Sequence, residues 1–260
     1  MSFSIALSGK GGTGKSTIAA LIVRSLVESG SGATLAVDAD PNSNLGFLFG
    51  VDVEATVADI REETVDKSKS FPAGMSKDRW LELQIQQSIV EGRGFDLLTM
   101  GRPEGPGCYC FVNHLLREFL NSATQGYEFV VMDNEAGMEH LSRRTTNDVE
   151  LLLIVVEPGF ASLVAAQRVI EIAEKLPITV REKRVIMNRC SEGELSNTLL
   201  EKSRSLGIKI DRFVPRDETV ERVFSEGGTV FDLPADTPAY SAVRTMVEEL
   251  VPVRRRQSGG

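Results

Sequence analysis

Residues 9–17 form the stretch best suited to chemistry in this 260-residue chain. They read GKGGTGKST, and the spacing G-x-x-x-x-G-K-[ST] is met by Gly9, Gly14, Lys15 and Ser16. In such a loop, glycines let backbone N–H groups surround phosphates, the lysine reaches the β and γ oxygens, and the hydroxyl binds Mg²⁺. We therefore predict that ATP or ADP with Mg²⁺ is held by Gly11, Gly12, Thr13, Gly14, Lys15, Ser16 and Thr17.

A second candidate for chemistry is a cysteine pair, Cys108 and Cys110, within EGPGCYCFVNHLL. On an extended segment, side chains at i and i+2 point to one side, so both sulfurs can reach one metal ion. A structural site needs four ligands, and two chains giving two cysteines each would supply them at a dimer axis. Thiolates suit Zn²⁺ and also bind Ni²⁺ in planar geometry. The alternative is a pair of small buried side chains at a helix start.

Carboxylates close two of the apolar runs. Asp38 and Asp40 lie in VDADPNSNL, and Asp133 ends the run in VVMDNEAG. A carboxylate in the position of Asp133 places negative charge near Mg²⁺ in phosphoryl-transfer enzymes, so we expect it to contribute to magnesium binding with Ser16. Each aspartate by itself could equally cap a strand end or begin a turn.

Apolar runs and helical patterns alternate along the chain and would position these groups. Runs rich in Val, Ile and Leu occur at 3–8, 33–38, 95–100, 128–133, 150–157, 183–188 and 208–214. Between most of them, apolar residues return every three or four positions, as in a helix with one buried face. This alternation predicts an α/β fold with a doubly wound, mostly parallel sheet.

The chain contains no Pro/Gly/Ser-rich linker and no internal repeat, so we expect a single domain over 1–260. Residues 51–94 are the least regular part and are expected to form short helices. Residues 251–260 have the composition of a frayed tail.

Composition excludes some classes of partner. The net charge of −8 disfavours general DNA binding, which depends on a surplus of Lys and Arg. We find no apolar run near the length of a membrane span. We therefore expect a cytoplasmic protein with no nucleic-acid and no membrane partner.

The phosphate loop contains a further lysine, Lys10, for which the general pattern has no role. KGGTGKST resembles the deviant phosphate loop of the ATPase class that includes the MinD, ParA and nitrogenase iron protein families. The resemblance implies that Lys10 crosses a dimer interface to the partner's nucleotide and that Asp40 orients or activates the attacking water. It also implies that Asp38 supports the magnesium shell or the loop, and that Gly137 lies in a second switch.

Later strand ends carry candidate nucleobase contacts. The stretch IMNRC places Asn188 after an apolar run, and FVPRD places Pro215 and Asp217 after the next. In the same ATPase class such residues meet adenine, and an amide can match its donor and acceptor edge. Ordinary strand-end turns are the alternative. Cys190 is interpreted as a structural thiol.

Four stretches in order, GKGGTGKST, DADPNSNL, GRPEGPGCYC and DNEAGMEHLSRRT, resemble the CooC-type nickel-insertion ATPases. The likeness runs from the first strand to about Pro215. It implies ATP hydrolysis, a nucleotide- and metal-dependent homodimer, and Ni²⁺ or Zn²⁺ held through Cys108 and Cys110. The implied client is apo carbon monoxide dehydrogenase/acetyl-CoA synthase.

Two other classes are weighed against this hypothesis. A [4Fe–4S] electron carrier like the nitrogenase iron protein would have a cysteine in the second switch, but DNEAGMEH has none. In a positioning ATPase the chain end would bind membrane, but SAVRTMVEELVPVRRR is only modestly amphipathic and is acidic midway.

The role of Lys10 can be tested with Lys10→Ala. We expect this variant to lose ATP-dependent dimerisation and hydrolysis, because a lysine that neutralises charge on the transferred phosphoryl group is removed. Light scattering and phosphate release measure the two losses, with Lys15→Ala as a comparison that should lose nucleotide binding itself. Dimerisation and hydrolysis that both persist in Lys10→Ala would exclude the role in trans.

Overall fold

The computed structural model describes residues 2–66, 74–102, 126–135, 148–175 and 179–252. Several residues singled out in the sequence lie outside these ranges: Cys108, Cys110, Gly137 and the tail 253–260.

A central sheet organises the described chain. Its strands are β1 (Phe3–Gly9), β2 (Thr34–Ala39), β3 (Val90–Glu91), β4 (Asp96–Thr99), β5 (Phe129–Asn134), β6 (Asp148–Val156), β7 (Thr179–Asn188) and β8 (Arg212–Val214). The order across the sheet is β3-β4-β2-β5-β1-β6-β7-β8. All neighbouring strands are parallel except β3 and β4, which are antiparallel. The predicted doubly wound, mostly parallel sheet is confirmed.

Helices connect the strands and cover the sheet. In the described ranges they are α1 (Lys15–Glu28), α2 (Leu45–Phe49), α3 (Val57–Asp66), α4 (Lys77–Gln87), α5 (Phe160–Lys175), α6 (Asn197–Ser205), α7 (Glu218–Ser225) and α8 (Pro238–Leu250). Within these ranges, no helix combines the length and the apolar composition that crossing a membrane requires.

The apolar strands divide their side chains between two cores because successive residues of a strand point to opposite faces. Ile5 and Leu7 of β1 belong to one buried cluster with residues of α1 and α8. Ala6 belongs to the other, with Leu163 and Ala166 of α5. Burial on both faces explains why the strands read as continuous apolar runs in the sequence.

Two elements differ from their predicted form. Of the run 208–214, only Arg212–Val214 pairs as β8. One position earlier, the backbone N–H of Asp211 still donates to the Val185 carbonyl at 2.9 Å, but the N–H of Val185 is accepted by the Asp211 carboxylate at 2.8 Å. A side chain therefore takes the place of one of the two backbone partners. The two-residue strand β3 contains no apolar run from which it could be predicted, and within the described ranges its partner is the short β4.

A buried arginine fixes α1 against the C-terminal part of the chain. Arg24 is 3 % exposed, and its Nε donates to Glu28 Oε1 at 2.7 Å. Its Nη1 donates to the Val230 carbonyl at 2.7 Å, and its guanidinium lies 4.0 Å from the ring centroid of Tyr240. The Tyr240 hydroxyl in turn donates to Glu28 Oε2 at 2.6 Å. Because α1 begins at the phosphate loop, this cluster also fixes the direction in which the loop's helix points.

The chain contains a matched pair of arginines for testing this cluster. Arg24→Met should lower the free energy of unfolding by about 2–3 kcal/mol, because it leaves the buried Val230 carbonyl and one oxygen of the Glu28 carboxylate without their donor. Arg222 makes the same i, i+4 pair with Glu226, but both side chains are more than 60 % exposed. Arg222→Met should therefore change stability by no more than about 0.5 kcal/mol. Equal losses in urea denaturation would contradict the importance assigned to the buried cluster.

Candidate functional site

The residues predicted to bind phosphate and magnesium lie together at the edge of the sheet formed by the carboxyl ends of the strands. In the register of the strands, Asp133 of β5 lies beside Leu7 of β1 on one side and beside Asp38 of β2 on the other. Two residues after Leu7, β1 ends at Gly9 and the phosphate loop begins. Parallel pairing thus places both carboxylates beside the loop, although they lie about a hundred residues apart in sequence.

The phosphate loop turns sharply into α1. Gly14 has a left-handed φ of 87°, and a Cβ there would lie 2.3 Å from Nδ2 of Asn188, so only glycine fits. The Lys10 carbonyl accepts from Thr13 Oγ1 at 2.9 Å and from Lys15 Nζ at 3.5 Å. Lys15 is buried, whereas the side chain of Lys10 is exposed. The exposure of Lys10 is compatible with its predicted reach toward a partner.

The N-terminus of α1 suits an anion. No side chain caps its first N–H groups, and its first turn contains no acidic residue. These free donors and the helix dipole favour negative charge at this position. A pocket beside them is lined by the loop residues Gly11, Gly12, Gly14, Lys15, Ser16 and Thr17, together with Asp40, Asn42, Asn44 and Glu135.

Asp133 is a fully buried carboxylate without a hydrogen-bond donor on either oxygen in the described chain. Burial raises its pKa to about 6, although the nearby Ser16 hydroxyl and Lys15 ammonium act in the opposite direction; Asp40 raises it further. A buried carboxylate of this kind is costly unless a cation or donor pairs with it. Hard oxygen ligands are what Mg²⁺ prefers, so Asp133 and the Ser16 hydroxyl fit the predicted magnesium position.

Asp38 holds the loop that follows β2. Its Oδ2 accepts the N–H of Leu45 at 2.8 Å, and its Oδ1 accepts the N–H of Asp40 at 3.3 Å. Burial raises the pKa of Asp38 to about 7; the Leu45 N–H opposes this shift and the Asp133 charge adds to it. Of the two roles that the resemblance left for Asp38, its contacts favour support of the loop.

Asp40 lies in that loop with one oxygen already engaged. Its Oδ1 accepts from the backbone N–H of Asn42 at 2.9 Å and from Asn42 Nδ2 at 2.8 Å. The next residue, Ser43, has a left-handed φ of 49°. Asn42 therefore fixes the orientation of the Asp40 carboxylate, a contact that the sequence did not reveal.

A second pocket lies on the other side of Gly14 and contains all three predicted adenine contacts. Asn188, Pro215 and Asp217 line it together with the apolar side chains of Ile18, Leu21, Val214, Val220, Phe224 and Ala239. Asn188 Nδ2 donates to the Thr13 carbonyl at 2.8 Å, so this amide also braces the phosphate loop. The largely apolar walls suit a nucleobase.

Asp217 is committed to backbone partners. Its Oδ1 accepts the N–H of Thr219 at 3.0 Å as the cap of α7, and its Oδ2 accepts the N–H of Ala239 at 2.9 Å at the start of α8. It therefore shapes the pocket by holding two helices. Arg189, which no motif singled out, lines both this pocket and the phosphate pocket.

Of the cysteines, the described chain contains Cys190. It is 3 % exposed, and burial raises the pKa of its thiol, with Glu194 adding to the effect. This environment agrees with the interpretation as a structural thiol. No group of three or more His, Cys, Asp and Glu side chains among the described residues is placed to hold a metal ion, and the predicted Cys108–Cys110 site lies outside those residues.

A doubly wound parallel sheet whose first strand leads through G-x-x-x-x-G-K-[ST] into a helix defines the P-loop class of nucleotide-binding proteins. The comparison with protein families is more specific. The chain belongs to the family of the CobQ/CobB/MinD/ParA nucleotide binding domain, whose model matches residues 4–230.

Relatives and solved structures agree with this membership. An uncharacterized ATP-binding protein of Methanocaldococcus jannaschii is 37% identical over 95% of this chain and 98% of its own. The carbon monoxide dehydrogenase accessory protein CooC of Rhodospirillum rubrum is 35% identical over 67% of this chain and 70% of its own. In fold, the chain is similar to the septum site-determining protein MinD of Pyrococcus horikoshii, solved with Mg-ADP, with a TM-score of 0.68, 19% identity and 97% coverage of both chains.

We predict that the buried carboxylate of Asp133 makes the stability of the protein depend on pH. The folded-state pKa of Asp133 lies above its ordinary value of 3.8, so the ligand- and magnesium-free protein loses stability as pH rises from about 4 to about 6. Asp133→Asn removes this loss. Its free energy of unfolding relative to wild type should therefore be more favourable at pH 7.5 than at pH 4.5, by an amount on the order of 2 kcal/mol.

Asp232 provides a control of opposite sign. The backbone N–H and hydroxyl of Thr229 lower the pKa of this exposed carboxyl. This contribution to stability is lost only as pH falls below about 4, so Asp232→Asn should be less stable than wild type by nearly the same amount at pH 4.5 and at pH 7.5. Urea denaturation at the two pH values measures both, and a pH-independent difference for Asp133→Asn would contradict the burial argument.

Proposed function

We propose that the protein is an ATP-hydrolysing, dimeric metallochaperone that binds Ni²⁺ or Zn²⁺ through Cys108 and Cys110 of two subunits. Its function is to assist nickel insertion into carbon monoxide dehydrogenase/acetyl-CoA synthase. The observation that carries the nucleotide part is the buried carboxylate of Asp133, which lies beside Ser16 and Lys15 and accepts no hydrogen bond from the described residues.

In this proposal the phosphate loop binds the β- and γ-phosphates. Backbone N–H groups between Gly11 and Thr17 surround the phosphate oxygens, and the buried Lys15 ammonium adds positive charge. Ser16 and Asp133 hold Mg²⁺, which when bound neutralises charge on the β- and γ-phosphates. The apolar pocket beside Asn188 and Pro215 takes the adenine.

Hydrolysis requires an attacking water and compensation of developing charge. Asp40 is assigned to the water, because it lines the phosphate pocket and Asn42 holds its carboxylate in one orientation. Lys10 is assigned to a second subunit's nucleotide, since its side chain is exposed while its carbonyl is tied into its own loop. A lysine in trans would act as an arginine finger does.

The metal part of the proposal rests on the sequence and on one relative. The relative from Rhodospirillum rubrum is named a carbon monoxide dehydrogenase accessory protein, and this chain carries the pair GCYC, which resembles that of CooC-type proteins. Two copies would supply four thiolates, the number that a closed tetrahedral site needs. In the proposed cycle, ATP binding and hydrolysis change the dimer interface and thereby the affinity for the ion.

The third cysteine allows a matched test of the metal site. The double variant Cys108→Ser/Cys110→Ser should lose Ni²⁺ and Zn²⁺ binding, because a hydroxyl is a poor substitute for a thiolate. Its affinity for ADP should stay within about 2-fold of wild type, as expected for independent sites. Cys190→Ala, which removes a buried thiol elsewhere, should keep metal binding.

Equilibrium dialysis with metal analysis under anaerobic conditions gives the result directly. A double variant that binds nickel as wild type does would refute the metallochaperone proposal. Iron and a brown colour in anaerobically purified wild-type protein would instead indicate an iron–sulfur carrier.

A further inference from the structure

Arg189 occupies a junction in the site that no motif assigns. It follows Asn188 at the end of β7 and lines both the phosphate pocket and the apolar pocket. Its backbone has a left-handed φ of 55°, a conformation uncommon for a residue with a side chain. Backbone conformations of this kind occur preferentially at ligand-binding positions.

The guanidinium of Arg189 is only partly engaged. Its Nη1 donates to the Gly12 carbonyl at 3.3 Å and lies 3.6 Å from Glu157 Oε2. The charge of Arg189 also lowers the pKa of Glu221, a carboxylate that is paired with Arg216. The side chain of Arg189 is 51 % exposed. An exposed ion pair of this length holds an arginine weakly, so most of the fork remains available to another anion.

The position of Arg189 identifies which part of a nucleotide it meets. The β- and γ-phosphates belong to the loop and Lys15, and the base belongs to the apolar pocket. What joins them is the ribose and the α-phosphate, and of these only the α-phosphate is anionic. An arginine at the boundary of the two pockets therefore faces a phosphate, for which its planar fork is well suited.

Resting on the nucleotide-binding part of the proposed function, we propose that Arg189 binds the α-phosphate of ADP or ATP. To do so, its guanidinium gives up its ion pair with Glu157. Glu157 directly follows β6, and its backbone is held there because its N–H donates to Ser162 Oγ at 3.1 Å. Glu157 is thus a competitor fixed beside the site and weakens nucleotide binding through Arg189.

Isothermal titration with Mg-ADP tests the contact. Arg189→Ala should weaken ADP binding about 10-fold, the effect of losing a charge-assisted hydrogen bond. Arg189→Lys keeps the charge but not the fork and should lose about 3-fold. The control is Arg212→Ala: Arg212 is an exposed arginine of β8 that pairs with Glu249 and does not line either pocket, so ADP affinity should be unchanged.

Glu157→Gln tests the competition. It should tighten ADP binding about 2-fold in the wild-type background, because Arg189 then loses a competing anion. It should have no effect in Arg189→Ala, because the arginine for which Glu157 competes is absent. An equal effect in both backgrounds would show that Glu157 acts on the nucleotide independently of Arg189.

Phosphorus NMR of bound ADP separates a direct contact from an indirect one. In Arg189→Lys the α-phosphorus resonance should shift while the β-phosphorus resonance stays at its wild-type position. A shift of the β resonance alone would mean that Arg189 acts through Gly12 and the loop, and would overturn the proposal, as would wild-type ADP affinity in Arg189→Ala. Failure of the wild-type protein to bind ADP would instead refute the proposed function.

Discussion

The site depends on two carboxylates buried side by side at the edge of a central parallel sheet. Asp133 and Asp38 lie opposite each other on neighbouring strands, and burial raises the pKa of both. Asp38 is compensated by two backbone N–H groups. Asp133 has no donor in the described chain, and the positive charge that lowers its pKa is on Lys15 of the phosphate loop. This asymmetry separates a carboxylate that holds a loop from one that suits a cation.

The surrounding contacts keep that arrangement rigid. Arg24 joins α1 to the end of the chain, so the helix that starts at the phosphate loop cannot rotate freely. Asn188 braces the loop from the other side through the Thr13 carbonyl. Asp217 connects α7 to α8 and so closes the apolar pocket. Polar side chains from α1, from the end of β7 and from the N-cap of α7 thus preorganise the loop before any nucleotide binds.

The phosphate loop and the class of fold could be predicted from the sequence because both depend on local sequence patterns. The phosphate loop follows from spacing, and the parallel sheet follows from buried apolar runs alternating with helices. The predicted strand at 208–214 is longer than β8 because the whole of IKIDRFV has the composition of a strand. Its actual length depends on which backbone groups pair with Val185 and its neighbours in β7. The contact of Asp217 with Ala239 joins segments that are distant in sequence, so no local pattern could predict it. Arg189 could not be predicted as a site residue, because an arginine after a strand matches no binding motif. Only the folded structure shows that its side chain lines both pockets.

In the proposed function, Lys10 and the cysteine pair each require a second copy of the chain. Lys10 would reach the partner's nucleotide, and the cysteines of both chains would supply four sulfurs. The agreement of these two requirements is the central claim. An anaerobic titration with Ni²⁺ and with Zn²⁺, followed by native mass spectrometry of apo, ADP-bound and ATP-bound protein, tests it most directly. The account predicts one metal ion per two chains, with an affinity that changes with the nucleotide. One ion per chain, bound equally well in all three states, would contradict it.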